Sequence, residues 1–362
     1  RDRSPSRGLG DVYKRQRYNI ASNQYTKFIS TFGNINMYAS YLSISIPVLL
    51  AVFAFCKNWF SRILSGILLI AAGCNILIAN SDSVFLGIFA GVVVVTILAF
   101  MQGRLRYSSF AVFLLFVGNL VLGFINKYGH TRYDKKRGGL AIALNRLDIA
   151  FVLCGAALLV FAVVCVCNWK LGTRVAAWNK KKIVLIVCGA CVALGVIGII
   201  VLAVTGSSLL TFNDKWGSYR GYIWRKIVEV YGDAPFVNKL FGYGNESVRV
   251  TLKAACYNEM VQVTGKVYDN AHNELLQYLF TTGIVGLLSY LALVGSSIVY
   301  MFKHAKEHAW ISVCLAATVG YFAQSILNLN QPITTPLFFV FMAMGVGTVN
   351  YCRRVKELEK RA

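Results

Sequence analysis

A short polar segment, residues 268–274 (YDNAHNE), carries the strongest candidate for acid–base chemistry, and it stands directly before a long apolar stretch. An imidazole changes its charge near neutral pH, so His272 could take a proton from a substrate hydroxyl. A neighbouring carboxylate, Asp269 or Glu274, could orient the ring. A lone histidine in a loop is also commonly structural or simply solvated, and the sequence leaves this alternative open.

A second segment, residues 218–236 (SYRGYIWRKIVEVYGDAPF), supplies the candidate for binding an anion. Its apolar residues recur at helical spacing, with Ser218 as the N-cap and Asp-Ala-Pro at the end. Arg220 then lies at the N-terminal end, where a guanidinium group and exposed N–H groups both suit phosphate oxygens. The pattern predicts an amphipathic helix lying on a membrane. A plain interfacial anchor is the open alternative.

Between these segments lies a glycine-containing turn, residues 240–247 (LFGYGNES), in which Gly242 and Gly244 flank Tyr243. Glycine has no side chain, so such a turn lets the backbone approach a ligand closely. A lone glycine pair has little specificity as a sign of ligand binding, and it gains meaning only together with the two segments described above.

The elements that must position these residues are membrane helices. Of 362 residues, 57% are hydrophobic and only 14% are charged, against about 45–50% and about 25% in soluble domains. The apolar residues form uncharged blocks long enough to cross about 30 Å of hydrocarbon. This excludes a soluble enzyme, a disordered chain and a secreted disulfide scaffold. The blocks predict an all-α polytopic membrane protein with nine spans, at 39–56, 63–80, 83–101, 109–126, 149–168, 183–204, 274–302, 310–328 and 333–351.

The net charge of +22 reflects 37 Lys and Arg against 15 Asp and Glu. Many of the basic residues lie in short loops and in the tail, which nine spans place on one side of the membrane. The positive-inside rule makes that side the cytoplasm and explains the charge without nucleic acid. The loop at 127–148 is basic yet falls outside. It is either a miscounted span or solvated charge run, or a basic lid over an anionic ligand.

No Asp, Glu, Lys or Arg lies deep in a predicted span. Charges at that depth mark transport pathways and proton relays, so the pattern argues against a proton-coupled transporter and favours chemistry at the outer face. No His, Cys and Asp cluster has metal-ligand spacing. We therefore expect neither a metal nor another cofactor.

Together these pieces resemble the O-antigen ligase family, which includes O-antigen and capsular polysaccharide polymerases. The most specific match is residues 269–288, because His-Asn followed by a helix with Gly283 and Gly286 is typical of the family. The resemblance implies a GT-C-like membrane glycosyltransferase of about twelve spans, of which about nine are retained. The other matching segments are residues 31–42 (TFGNINMYASYL), the turn at 80–83, residues 218–224 (SYRGYIW) and residues 240–245 (LFGYGN).

The resemblance implies a metal-independent, inverting transfer of glycan from undecaprenyl diphosphate to a sugar hydroxyl on a glycan or lipid-linked acceptor. His272 matches the base that deprotonates the acceptor, and Arg220 matches the arginine that holds the diphosphate. Asp82 stands where the family often has a phosphate-binding arginine. Two explanations are open. Either Asp82 orients Arg220 or the acceptor sugar, or other basic residues supply the positive charge of the diphosphate site, namely Arg132, Lys135, Lys136, Arg137 or Arg249. Further expected substrate contacts are Asn273, Asp269, Arg225, Arg249, Asn34, Asn36, Asp82 and Arg137.

The predicted organisation begins with an adapter-like leader at 1–16, so that membrane helices are missing before it. A six-helix membrane domain at 17–204 precedes an extracytoplasmic catalytic loop at 205–273. Three helices at 274–352 and a cytoplasmic tail at 353–362 complete the chain. The sequence does not separate a ligase from a polymerase. The alternatives are a polysaccharide flippase or other transporter, and a non-catalytic component of a glycan-assembly complex.

Overall fold

The computed structural model describes residues 34–79, 81–128, 147–176 and 213–361. Every regular element in these ranges is an α-helix, as predicted. In chain order the helices are α1 (Ile35–Phe55), α2 (Trp59–Ala79), α3 (Asp82–Met101), α4 (Leu105–Tyr128), α5 (Leu147–Ala176), α6 (Trp216–Gly232), α7 (Phe236–Phe241), α8 (Ser247–Thr264), α9 (Glu274–His304), α10 (Ala309–Ser325) and α11 (Thr335–Arg361).

Seven helices in the described ranges are long and apolar enough to cross a membrane, namely α1 to α5, α9 and α11. The chain is thus a polytopic membrane protein. The predicted span at 310–328 corresponds to α10, which has only 17 residues. The predicted span at 183–204 lies outside the described residues, as do the leader at 1–16 and most of the basic loop at 127–148. The count of nine therefore stays a prediction.

The chain divides into two compact units. The first contains α1 to α4, most of α5, nearly all of α10, and α11. Gly73 of α2 and Gly118 of α4 face each other so closely that a Cβ on either would overlap a carbonyl oxygen of the other helix. Close approach through small residues is the usual way in which helices pack in lipid.

Polar contacts add to this packing within the first unit. Ser40 of α1 donates to Gln324 of α10 at 3.1 Å, and Gln324 donates to Ser83 of α3 at 3.3 Å, all three being buried. Arg62 and Arg104 donate to carbonyl oxygens at the C-terminal end of α1. Those carbonyls have no helical donor. Arg62 of α2 and Arg104 of the loop between α3 and α4 therefore cap the end of α1.

The second unit contains α6, α7, α8 and α9 as far as Lys303. The helical spacing of 218–236 predicted α6 correctly. However, Ile223 and Ile227 of its predicted apolar face, together with Tyr222, are buried in a protein core, so protein and not lipid covers this part of the face. Val228 of the same face is 56% exposed, and the prediction that the helix lies on a membrane stays a prediction. The core partners are Val248, Leu252, Met260, Tyr268, Ala271 and Phe280.

Helix α9 is interrupted at Gly283, where φ is 69° and ψ is −172°. The break frees the carbonyls of the preceding turn, and two of them accept hydrogen bonds from the backbone N–H groups of Tyr243 and Gly244 at 3.0 and 2.9 Å. A Cβ on Gly242 or on Gly283 would overlap backbone atoms of the other segment. Gly242 is thus used to approach a helix, where the sequence alone suggests a ligand.

Candidate active site

His272 lies in the tight loop between α8 and α9, and its backbone is left-handed with φ of 48°. Residues other than glycine rarely adopt this conformation. Side chains hold the neighbouring backbone in place, since His272 N–H donates to Asn270 Oδ1 at 3.1 Å and Ala271 N–H donates to Gln277 Oε1 at 2.9 Å. The local sequence therefore fixes the loop that presents the imidazole.

Helix α6 supports the same loop from the other side. The indole N–H of Trp224 donates to the carbonyl oxygen of Ala271 at 2.8 Å. The hydroxyl of Tyr268 donates to the carbonyl oxygen of Ser218 at 2.9 Å, and its ring stands edge-on to the imidazole of His272 with 5.8 Å between centroids. The two segments predicted from the sequence as base and anion site are thus joined in one place.

Helix α6 begins with a strained turn. Gly217, Ser218 and Tyr219 all have positive φ, at 58°, 61° and 70°. Ser218 therefore lies inside the turn, and its predicted role as N-cap is wrong. Arg220 follows this turn directly. The next residue, Gly221, packs against the backbone of Asn213, because a Cβ on Gly221 would overlap the carbonyl oxygen of Asn213. Strained non-glycine backbone of this kind is concentrated at functional sites.

Burial, helped by two nearby cations, keeps the imidazole of His272 neutral. The pKa of His272 is lowered to about 4, first by burial and then by the positive charges of Arg220 and Lys266, with Asp269 acting in the opposite direction. Its Nδ1 atom is buried without a hydrogen-bond partner among the described residues. At neutral pH the ring is therefore uncharged, and one of its nitrogens can accept a proton.

The polar residues beside His272 have separate roles. Asn273 is buried and accepts a hydrogen bond from Leu276 N–H at 3.0 Å, which caps the start of α9. Glu274 is also buried and accepts a hydrogen bond from the hydroxyl of Tyr290 at 3.2 Å. Asp269 is exposed and accepts from the side chain of Asn270. Of the two carboxylates, Asp269 is the one that acts on the charge of His272.

Arg225 lies in an ion-pair network on the exposed side of α6. It donates to both carboxylate oxygens of Asp214, at 3.1 and 2.9 Å, and to Glu229 at 2.7 Å. These hydrogen bonds raise the pKa of Arg225. Lys226 pairs with Glu229 and with Glu259, each at 2.9 Å. The guanidinium of Arg225 is thus engaged with carboxylates in this structure.

The other predicted contacts lie elsewhere in the chain. Arg249 is exposed on α8 and lines, with Lys253, a surface cavity of about 610 Å³. In the first unit, Asn34 caps α1 by accepting from Asn36 N–H at 2.7 Å, and Asp82 is the first residue of α3. Arg137 lies outside the described residues. Among the described residues no group of His, Cys, Asp and Glu could hold a metal ion.

Three residues that support the His272 loop are missed as site residues by the sequence reasoning: Trp224, Tyr268 and Gln277. Trp224 is predicted only as part of an apolar face. Its spacing from Arg220 could have indicated a role in the site, because the two residues stand one helical turn apart. Lys266 is also missed, because it lies in a loop and no pattern connects it with His272.

The fold and the site define a polytopic helical membrane protein with a histidine and an arginine brought together by the loop before α9. The O-antigen ligase family model matches residues 137–291, which include α6, α7, α8 and the His272 loop. The resemblance to this family is thereby confirmed for residues 137–291. No curated protein matches the chain.

Proposed function

We propose that this protein transfers or polymerises glycan from undecaprenyl diphosphate onto a sugar hydroxyl of a glycan or lipid-linked acceptor. The observation that carries the proposal is the neutral His272 beside the cations Arg220 and Lys266 within the segment that matches the O-antigen ligase family. The protein resides in the bacterial inner membrane, and the site faces the extracytoplasmic side.

His272 acts as the general base. It accepts the proton of the acceptor hydroxyl while that oxygen attacks the anomeric carbon, and the bond to the diphosphate breaks with inversion. A pKa of about 4 makes a weak base in the empty site. The bound diphosphate compensates the two neighbouring cations, which raises the pKa of His272. The base therefore becomes stronger when the donor is in place.

Arg220 and Lys266 neutralise the negative charge that grows on the leaving diphosphate. Cations aimed at developing charge are a large source of catalysis, and here protein side chains take the role that a metal has in other transferases. Lys266 lies 4.5 Å above the ring of Tyr268, which itself contacts His272. It supplies positive charge in a chain where Asp82 replaces a common arginine of the family.

The remaining expected contacts take two kinds of role. Asn273 and Arg225 act by positioning, since their polar atoms bind the start of α9 and nearby carboxylates. Asp269 tunes the imidazole. We keep Arg249, Arg137, Asn34, Asn36 and Asp82 as candidate contacts to the glycan or to its lipid carrier.

The proposal is tested in a bacterial strain from which this gene has been deleted. Loss of all attached polymer identifies a ligase, whereas single attached repeat units identify a polymerase. Wild-type protein should restore the polymer, and His272→Ala and Arg220→Ala should not. Arg354→Ala, an exposed charge on α11, should restore it fully. Restoration by the His272→Ala protein would favour a non-catalytic component of the assembly.

A further inference from the structure

The short helix α7 presents large apolar side chains at the protein surface. Phe236, Val237 and Phe241 have exposed fractions of 74%, 65% and 62%. Scattered exposed apolar residues are ordinary, but three on a helix of six residues form a patch. Such a patch costs free energy in water and marks a contact surface.

Helix α7 is fastened to the rest of the second unit. The hydroxyl of Tyr231 of α6 donates to the carbonyl oxygen of Lys239 at 2.5 Å. At the end of α7 itself, the Asn238 side chain donates to the carbonyl oxygen of Gly242, its C-cap, at 3.1 Å. The next residues bind the backbone of α9 just before Gly283. The apolar patch is therefore held at a fixed level along α9.

The length of α9 indicates where this patch lies relative to the membrane. Residues 284–303 extend about 30 Å at 1.5 Å per residue, which is the thickness of the hydrocarbon layer. Lys303 begins the charged segment at one boundary, so Gly283 lies at the other boundary. Ile284, Val285 and Leu288 follow the break with exposed fractions of 38%, 45% and 57%. The lipid-facing surface of α9 therefore continues into the patch of α7.

We propose that Phe236, Val237 and Phe241 insert into the interfacial layer of the phospholipid bilayer, so that α7 anchors the second unit in the membrane surface. Phenylalanine and other apolar residues of interfacial helices are buried in this layer. The anchor is thus α7 and not α6, whose apolar face is used in the protein core. The observations that support this role do not depend on the proposed glycan transfer.

The anchor also sets the height of the site. The helical segment from Glu274 to Gly283 is about 14 Å long, and His272 lies just before its first residue. Since α7 and the His272 loop attach to the same segment, the imidazole stays at a constant distance from the lipid surface. A polyprenyl diphosphate and its sugar are presented at this surface.

The proposal is tested by photo-crosslinking in bacterial membranes that contain the whole chain. The benzophenone analogue p-benzoylphenylalanine replaces Phe241 in one variant and Val228 in a matched control. Val228 is 56% exposed, but it lies on α6 between Arg225 and Glu229. The analogue is itself a phenylalanine derivative, so an exposed Phe tolerates it. Both variants are irradiated, purified and analysed by mass spectrometry for attached phospholipid.

We expect phospholipid adducts at Phe241 and several-fold fewer at Val228. Equal yields at the two positions would overturn the proposal. Adducts at Phe241 that consist of polypeptide, from this chain or another, would also overturn it, because they would show a protein partner on the patch. The measurement does not involve glycan transfer. The membrane-anchor proposal can therefore fail while the proposed function holds, and the proposed function can fail while the anchor is confirmed.

Discussion

The indole N–H of Trp224 donates a hydrogen bond to the carbonyl oxygen of Ala271, 2.8 Å away. Trp224 stands one helical turn after Arg220, and Ala271 directly precedes His272. The bond therefore joins the helix that carries Arg220 to the loop that carries His272, the proposed base. It also holds the loop in a conformation in which His272 has a positive φ.

Trp224→Phe should keep the ring in place and remove this one donor. A typical hydrogen bond contributes about 1 kcal/mol, so we expect kcat for glycan transfer to fall about fivefold. The KM for the lipid-linked donor should change little, because the diphosphate contacts remain. Steady-state kinetics of the purified protein measure both constants. Trp310→Phe, at an exposed tryptophan of α10, is the control. An unchanged kcat would show that the bond does not position the site.

Lys266→Met and Asp269→Asn should move the pKa of His272 in opposite directions. Loss of a nearby cation favours the imidazolium, so Lys266→Met raises the pKa from its value of about 4. Loss of a nearby carboxylate disfavours the imidazolium, so Asp269→Asn lowers it. The acidic limb of the pH profile of kcat/KM should shift accordingly. Shifts in the same direction would contradict this electrostatic arrangement.

The lowered pKa of His272 also predicts a pH dependence of stability. Between its ordinary pKa of 6.5 and about 4, the unfolded chain binds a proton that the folded chain does not. The contribution of His272 to stability should therefore rise as the pH increases from 4 to 6.5, and stay level above that. Thermal unfolding in detergent at several pH values measures this slope. His272→Gln should flatten it, and an unchanged slope would refute the assignment.

Gly283→Ala should destabilise the second unit, because its Cβ would overlap the backbone of Leu240 and its φ of 69° is unfavourable for alanine. We expect a loss of more than about 2 kcal/mol. Gly295→Ala on the same helix is the matched control, since a Cβ there meets nothing within 4 Å. Unfolding in detergent compares the two variants. Equal stability would mean that the break in α9 is not required.

Local patterns in the sequence predict the helices and the two ends of the site. Apolar periodicity is enough to predict α6, and the His-Asn pair before a glycine-containing helix is enough to single out the loop that carries His272. Amphipathicity shows that α6 has an apolar face, but it does not show whether lipid or protein covers that face. Here the partner is α8, whose contacts with α6 are distant in sequence.

The predictions that the structure corrects fail for the same physical reason, because they depend on contacts that local sequence patterns do not show. A serine before an apolar repeat predicts an N-cap, yet the left-handed turn at Gly217–Tyr219 depends on three-dimensional packing. Arg225 has the charge that a phosphate site needs, but Asp214 binds it, and the sequence does not reveal this pairing. The exposed patch of α7 is likewise invisible in a chain where most segments are apolar.

The central claim is that His272 and Arg220 carry out glycan transfer. It is tested most directly by measuring transfer from an undecaprenyl-diphosphate-linked glycan to an acceptor in proteoliposomes containing the wild-type protein, His272→Ala, Arg220→Ala or Arg354→Ala. We expect the rate to fall at least about 100-fold in the first two variants, since each loses a base or a charge contact of the transition state. Arg354→Ala should keep the wild-type rate. A wild-type rate in His272→Ala or Arg220→Ala, with the protein correctly inserted, would contradict the claim.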